Sequence, residues 1–232
     1  MNGGLKFDIK GTTMPLLEFD LNQGQTIYAQ SGAMKYMSSS VDMKTSASGG
    51  ISGIFKRAIS GESLFLVYFT ATQNGDKLAF GHTFPGNIIP WDVSKSTLIC
   101  QKRAFLCATE GVNIDIHFKK SLGTGFFGGE GFIMQKLTGN GMAFVEIDGE
   151  AVSLDLAPGE SIKVETSAVA MYEESVKMDI NFVKGFTNIL FGGEGLFLTT
   201  LTGPGKIWLQ TMPIQSMVAE MSSFFPKPSS RR

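Results

Sequence analysis

The sequence predicts an all-β protein assembled from three diverged copies of one unit of roughly 65 to 70 residues. Three observations predict it. The 232 residues include 28 glycines and 19 phenylalanines but only 18% charged residues, a composition suited to short strands and tight turns rather than long solvated helices. Apolar residues recur with period two, as in Val152, Leu154 and Leu156. Finally, the chain matches itself at an offset of 64 residues: from Phe127 to Gly141 nine of fifteen positions are identical, five in Phe-Gly-Gly-Glu-Gly and four in Leu-Thr-Gly-x-Gly.

The same offset carries Asp115, Ile116 and Phe118 onto Asp179, Ile180 and Phe182, and Ala104 onto Ala168. A more worn copy lies upstream. There Gly61-Glu62-Ser63 matches Gly129-Glu130-Gly131, and Leu21–Gln30 corresponds to Asp92–Gln101 and Leu156–Glu165. The units therefore run about 5–80, 81–148 and 149–215, with extra length in the first between Val41 and Gly61. Each holds four to six short strands and buries too little surface alone, so the three are expected to share a core as a single domain over 1–215.

Turn chemistry punctuates the units. Ala157-Pro158-Gly159-Glu160 between two alternating runs reads as a hairpin with one buried face, and Asn74-Gly75, Asn140-Gly141 and Asp148-Gly149 accept the positive φ of type I′ hairpin turns. Two segments depart from period two. Ile51, Ile54, Phe55, Ala58 and Ile59 fall at helical spacing, with Lys56 and Arg57 opposite them. Near the end, Pro213 precedes Ile214, Met217, Val218 and Met221, which predicts a short C-terminal helix, and 216–232 is read as its end and a disordered tail.

Charge and motifs exclude several functions. A net charge of −1 gives no global basic field for nucleic acid or anionic lipid. Met1–Thr13 has no apolar core of signal-peptide length, and the most apolar run, Leu64–Phe69, is far short of the ~20 residues that span a bilayer as a helix. The only cysteines, Cys100 and Cys107, are separated by an odd number of residues and point to opposite faces of a regular strand, which argues for free thiols in a reducing compartment. Two histidines, His82 and His117, in no ligand spacing, and the absence of a Gly-x-Ser-x-Gly elbow leave no catalytic set, metal site or cofactor to assign.

The glycine loops hold the remaining candidates. A phosphate cradle supplies Lys and Ser/Thr, whereas these loops centre on Glu130 and Glu194, with Glu62 in the equivalent place. Their first expectation is structural, a bulge or tight turn whose glutamate accepts backbone N–H groups. The alternative is a binding role: if the units pack around a pseudo-threefold axis, Glu62, Glu130 and Glu194 become equivalent positions in a ring able to bind a cation. Lys56 and Arg57 stand beside the first loop. Phe126 and Phe127, with Ile189, Leu190 and Phe191, flank the other two as candidate interface residues, for oligomer contact before lipid.

The motifs Gly61-Glu62-Ser63-Leu64-Phe65, Phe127–Gly131, Leu156-Ala-Pro-Gly-Glu160 and Phe191–Gly195 followed by Leu201–Gln210 together resemble the altered-inheritance-of-mitochondria family, from about Phe7 to Ser216. The resemblance implies a fold like the tryptophan RNA-binding attenuation protein, a short double-stranded β-helix type, triplicated in one chain. It also implies homo-oligomers, as trimers or rings. Eukaryotic members are linked to mitochondrial inner-membrane organisation, and no catalytic residues are defined for the family. The lack of an obvious presequence fits a cytoplasmic member. The expectation is a non-enzymatic, self-assembling scaffold that binds itself and a protein or membrane-surface partner, with nucleic acid not expected. The alternative is a ring-shaped small-molecule or RNA binding module.

Overall fold

The computed structural model describes residues 4–45, 66–81, 83–120, 131–183 and 196–224. Its first stretch forms β1 (Lys6–Lys10), β2 (Leu16–Leu21), β3 (Thr26–Gln30), β4 (Met34–Met37), β5 (Asp42–Thr45), β6 (Leu66–Thr70) and β7 (Asp76–Gly81). The middle forms β8 (Gly86–Asp92), β9 (Leu98–Gln101), β10 (Phe105–Thr109), β11 (Val112–Lys120), β12 (Phe132–Gly139) and β13 (Met142–Asp148). The last forms β14 (Ala151–Leu156), β15 (Ser161–Glu165), β16 (Val169–Glu173), β17 (Lys177–Val183), β18 (Leu196–Thr202), β19 (Gly205–Gln210) and the helix α1 (Ile214–Ser223). The protein is all-β with one short helix among the described residues, as composition and periodicity predict. That helix is not long and apolar enough to cross a membrane, which says nothing of strands.

The strands form antiparallel sheets in the orders β1-β2-β7-β4, β5-β6-β3-β10-β13-β8, β11-β12-β9-β16-β19-β14 and β15-β18-β17. Each six-stranded sheet is therefore made half from one stretch of chain and half from the next. The first joint pairs Cys107 with Ala29, Ala108 with Tyr28 and Thr109 with Ile27. The second pairs Met171 with Cys100, Tyr172 with Ile99 and Glu173 with Leu98. Every residue in these pairs except Thr109 and Glu173 is buried, and each large apolar side chain so buried contributes about 1.5–3 kcal/mol relative to exposure.

The predicted turns form at the predicted places, but they are not hairpins. Gly159 has φ +80° and Gly75 φ +85°, as the turn chemistry requires. Yet β14 pairs with β19 while β15 pairs with β18, so Ala157–Glu160 carries the chain from one sheet to another. Asn74-Gly75, Asn140-Gly141 and Asp148-Gly149 likewise join strands of different sheets. A corner and a hairpin need the same positive φ. Only the tertiary partners differ.

Alternation reports burial faithfully in β2, where Leu17, Phe19 and Leu21 are inaccessible. It fails in β14. Val152 and Leu154 are 42% and 39% exposed, because among the described residues β14 ends its sheet and its expected inner face is only partly covered. Among the described residues the interior forms three clusters: one around Phe19, Phe80 and Phe144, one around Tyr28, Phe105 and Met171, and one around Phe132, Tyr172 and Leu201. Each draws on more than one stretch of the chain, so the clusters bridge the joints.

The C-terminal helix begins where Pro213 and the apolar spacing predict. Its first N–H, that of Ile214, donates to Asp148 Oδ2 at 3.0 Å, which caps an orphan donor from another element. Val218 and Met221 are more than half exposed, so only part of the predicted apolar stripe is covered.

Candidate functional site

The candidates chosen from the sequence fall outside the described residues. Lys56, Arg57 and Glu62 lie in 46–65, Phe126, Phe127 and Glu130 in 121–130, and Ile189, Leu190, Phe191 and Glu194 in 184–195. What the structure does give is the strands that these segments connect. They link β5 to β6, β11 to β12 and β17 to β18, and each of those pairs is an antiparallel neighbour in one sheet. The helix predicted around Ile51–Ile59 lies outside the described residues too.

Two clefts open beside the joint between β3 and β10. The first, about 270 Å³, is lined by Gln25, Thr26, Thr109, Glu110, Asn140 and glycine backbone, with Leu5, Ile27 and Met142 as apolar walls. Its rim is held by the backbone bond from Asn140 N–H to Gly111 O at 2.9 Å and by Met142 N–H donating to Thr109 Oγ1 at 3.1 Å. Polar groups that converge on a partly apolar concavity suit a small polar ligand. Glu110 is the one charged group in the lining, and it disfavours an anion.

The second cleft, about 170 Å³, lies at the other end of the same joint, between Gln30, Gln101, Arg103, Glu146, Gln210 and Gln215. Its carboxamides are mostly committed to backbone. Gln30 Nε2 donates to Lys102 O at 3.1 Å, Gln101 Nε2 to Ser167 O at 3.2 Å and Val169 O at 2.5 Å, and Gln210 Nε2 to Ser167 O at 2.8 Å. Gln210 Oε1 accepts from Asp148 N–H at 3.3 Å. The Gln30 and Gln101 bonds stitch the strand end of one stretch of chain to the turn of the next, whereas Gln210 bonds the turn of its own stretch. Gln215 differs, since its Oε1 is buried with no hydrogen-bond partner among the described residues.

That contrast gives a prediction. Gln101→Leu strands a buried carbonyl and should cost about 1–3 kcal/mol in urea unfolding. Gln215→Leu removes an unsatisfied acceptor and should be neutral or stabilising by up to about 1 kcal/mol.

Sequence alone does not single out these glutamines. A signal was present, because Gln30 and Gln101 end strands that align with one another and with the strand ending at Glu165. A carboxamide at a strand end has many ordinary explanations, and only the joint between sheets shows what it bonds.

Among the described residues, His117 and its neighbours form a small charged group. His117 is held below its ordinary value by partial burial and then by the Lys136 ammonium, against an opposing pull from Glu174. Lys136 and Glu174 pair directly, and that bond keeps Glu174 below the usual carboxylate range. Among the described residues no group of three or more His, Cys, Asp and Glu is placed to hold a metal.

Both cysteines are free and buried. They sit on β9 and β10, either side of a 3-10 turn over Lys102–Ala104, rather than on one continuous strand, and they face different core clusters. Burial pushes the Cys100 thiol up to about 12, and burial followed by the Glu146 charge raises Cys107 well above its ordinary value. The folded thiols keep protons that the unfolded chain loses above about pH 8.5. Stability is therefore full below that pH and falls as pH rises towards 12, by up to about 1.4 kcal/mol per pH unit for each thiol. Urea titrations at pH 8 and pH 10 should show this fall, and it should shrink in a Cys100→Ala/Cys107→Ala variant.

Comparison with known proteins adds a family and a fold. The family model described as Mitochondrial biogenesis AIM24 matches residues 7–212. A protein of Streptococcus pyogenes described as uncharacterised, M6_Spy0233, is 26% identical over 235 residues, covering 97% of this chain and 93% of its own. The crystal structure of protein SPYM3_0169, also from Streptococcus pyogenes, superposes with a TM-score of 0.78 at 23% identity, over 96% of this chain and 100% of that one. At that identity the likeness shows the fold alone.

Proposed function

The chain belongs to the family described as Mitochondrial biogenesis AIM24, and from that premise we propose that it is a non-enzymatic, self-assembling β scaffold built of three like units. The observation that carries this reading is a joint used twice. β3 joins β10 and β9 joins β16, each in the same sense, and β3/β9 and β4/β10/β16 are corresponding strands of successive units. The remaining pairings support the same division: β2–β7, β8–β13 and β14–β19, then β3–β6, β9–β12 and β15–β18. Register shifts recur at one place per unit, at Met34/Tyr36, Phe105/Cys107 and Val169/Met171. Repetition of one joint is the relation expected of an attenuator-type triplication with pseudo-threefold symmetry.

In this reading the scaffold repeats one connection three times. The segments that hold Glu62, Glu130 and Glu194, with their apolar neighbours, follow corresponding strands, so a partner that binds one weakly can bind several with greater avidity. That partner is a protein or a membrane surface. Buried free thiols support a cytoplasmic setting, and carboxamides committed to backbone carbonyls support a structural rather than catalytic role for the second cleft.

Light scattering at micromolar concentration tests the reading. A mass above that of one 25.1 kDa chain is expected, and a clean single-chain mass overturns it. Flotation with phosphatidylcholine/phosphatidylserine vesicles separates the two kinds of partner, and Phe127→Ser/Phe191→Ser should abolish any capture.

The cleft of about 270 Å³ at the joint favours a second reading, a small-molecule binding module. A thermal-shift screen of neutral and cationic metabolites tests it, and no shift for any of them removes it.

A further inference from the structure

The chain holds one polar cluster twice, and only one copy is complete. At the second joint Glu174 accepts from the Lys136 ammonium and from the Thr97 hydroxyl. The two joints correspond residue by residue. Thr109 opposite Ile27 matches Glu173 opposite Leu98, so Glu110 takes the place of Glu174, and Thr26 the place of Thr97. On the neighbouring strand, Tyr68 opposite Tyr28 matches Lys136 opposite Ile99. The first joint therefore keeps the carboxylate and the hydroxyl but has a buried aromatic in place of the lysine.

The surroundings of Glu110 follow from that exchange. Burial, and then the Glu110 charge, pushes the Tyr68 phenol up to about 12, so the carboxylate acts on the ring that occupies the lysine position. Tyr68 packs against Tyr28 at 5.6 Å in the cluster around Phe105 and brings no cation. Among the described residues Glu110 makes no ion pair. Lys44, opposite Tyr68 on β5, corresponds to Asp115 rather than to Lys136 and makes no ion pair among the described residues either.

Resting on the small-molecule reading of the cleft of about 270 Å³, we propose that this cleft binds a small primary alkylammonium ion, whose head takes at Glu110 the place that Lys136 takes at Glu174. Glu110 and Thr26 both line the cleft. An ammonium brings three donors and no acceptor, and the Glu110 carboxylate accepts as Glu174 does. Thr26 Oγ1 lies 2.9 Å from Thr70 Oγ1 and, when it donates to that neighbour, keeps a lone pair for a second donor of the ligand. Leu5, Ile27 and Met142 wall the cleft and take the alkyl stem, as apolar surface takes the stem of a lysine.

Other ligand classes fit less well. A divalent cation of the calcium type gathers six or more oxygen ligands, usually with several carboxylates among them, and Glu110 is the single charged group in this lining. An anion meets that carboxylate. A neutral molecule leaves it without a counter-charge. Glu110 is exposed, so the pair is screened, and binding is weak and falls as salt rises.

Saturation-transfer NMR with n-butylammonium chloride at pH 7 tests the proposal on the full chain. A saturable signal is expected. Glu110→Gln, a change at an exposed position, should weaken binding by about tenfold or more, the loss of a charge-assisted bond. n-Butanol and butyrate share the stem and should bind about tenfold more weakly than the amine or worse. No signal from the amine, or an equal one from Glu110→Gln, overturns the proposal.

A further variant asks the question in reverse. Lys136→Ala removes the resident ammonium of the second joint, so n-butylammonium should bind the Glu110→Gln/Lys136→Ala variant at Glu174. If that variant is folded by circular dichroism and binds no better than Glu110→Gln, the equivalence of the joints fails and the proposal with it. A signal that appears in Lys44→Ala but not in the unaltered chain also overturns it, because the chain then supplies its own ammonium. The two readings fail separately. n-Butanol that binds as tightly as the amine, and does so in Glu110→Gln too, defeats the ammonium and leaves the small-molecule module standing, whereas no response to any amine or neutral ligand defeats both.

Discussion

Replacing Phe144 with alanine should lower the stability of the protein by about 3–5 kcal/mol in urea unfolding, among the largest effects of any single truncation. Phe144 lies on β13 and is fully buried, but its neighbours come mostly from the first stretch of chain. Its ring meets Phe7 edge-on at 5.0 Å and 83°, and Phe19 at 5.1 Å and 88°. Phe19 in turn packs against Phe80 at 6.0 Å. The transfer free energy of the ring is lost together with the cavity term, since backbone in the surrounding sheets cannot collapse into the space. Such edge-to-face pairs add about 0.5–1.5 kcal/mol each beyond area burial. A loss below about 1 kcal/mol, with the unfolding slope unchanged, would show that this cluster does not couple the joint.

Gly139→Ala should be as damaging, for a different reason. Gly139 has φ +110°, and a Cβ there would lie 2.3 Å from the backbone oxygen of Gly111. Backbone cannot swing aside as a flexible side chain can, so either the strand end shifts or the corner opens. The expected loss is about 3 kcal/mol or more, from conformational strain and overpacking together. Gly159→Ala is the matched control, with φ +80° but nothing within 4 Å of the added methyl. It should cost only about 1–2 kcal/mol, the left-handed penalty alone. Equal losses at both positions would mean that the contact with Gly111 carries no energy.

These two positions show how unevenly the fold is written in the chain. Gly139 is legible as the first glycine of Leu-Thr-Gly-x-Gly, a motif that occurs twice, and its turn role follows from composition. Phe144 is one of 19 phenylalanines, and nothing local says that it sits among residues far away in sequence. The candidate site divides in the same way. The glycine loops stand out because identity at a fixed offset is visible in one dimension. The clefts at the joint do not, because Gln30, Gln101 and Gln210 come together only when strands from successive stretches share a sheet.

Turns make the same point. Positive φ at Gly75 and Gly159 is a property of a few adjacent residues, so the chain specifies it locally. Whether the turn closes a hairpin or rounds a corner depends on which strand offers the next hydrogen-bond edge, a long-range contest among similar apolar strands. Val152 and Leu154 illustrate the cost of a local rule: alternation assigns them a face, but burial requires a second layer over that face, and among the described residues the cover over β14 is only partial.

By itself, then, the sequence determined the strand content, the turn positions and the C-terminal helix, together with the recurrence of two glycine motifs at an offset of 64, because each rests on side-chain period, backbone φ preference or internal identity. Tertiary structure alone decided which strands pair across the joints and where the clefts lie. Those are long-range matters of hydrogen-bond partners and shared burial, which no local window of residues contains.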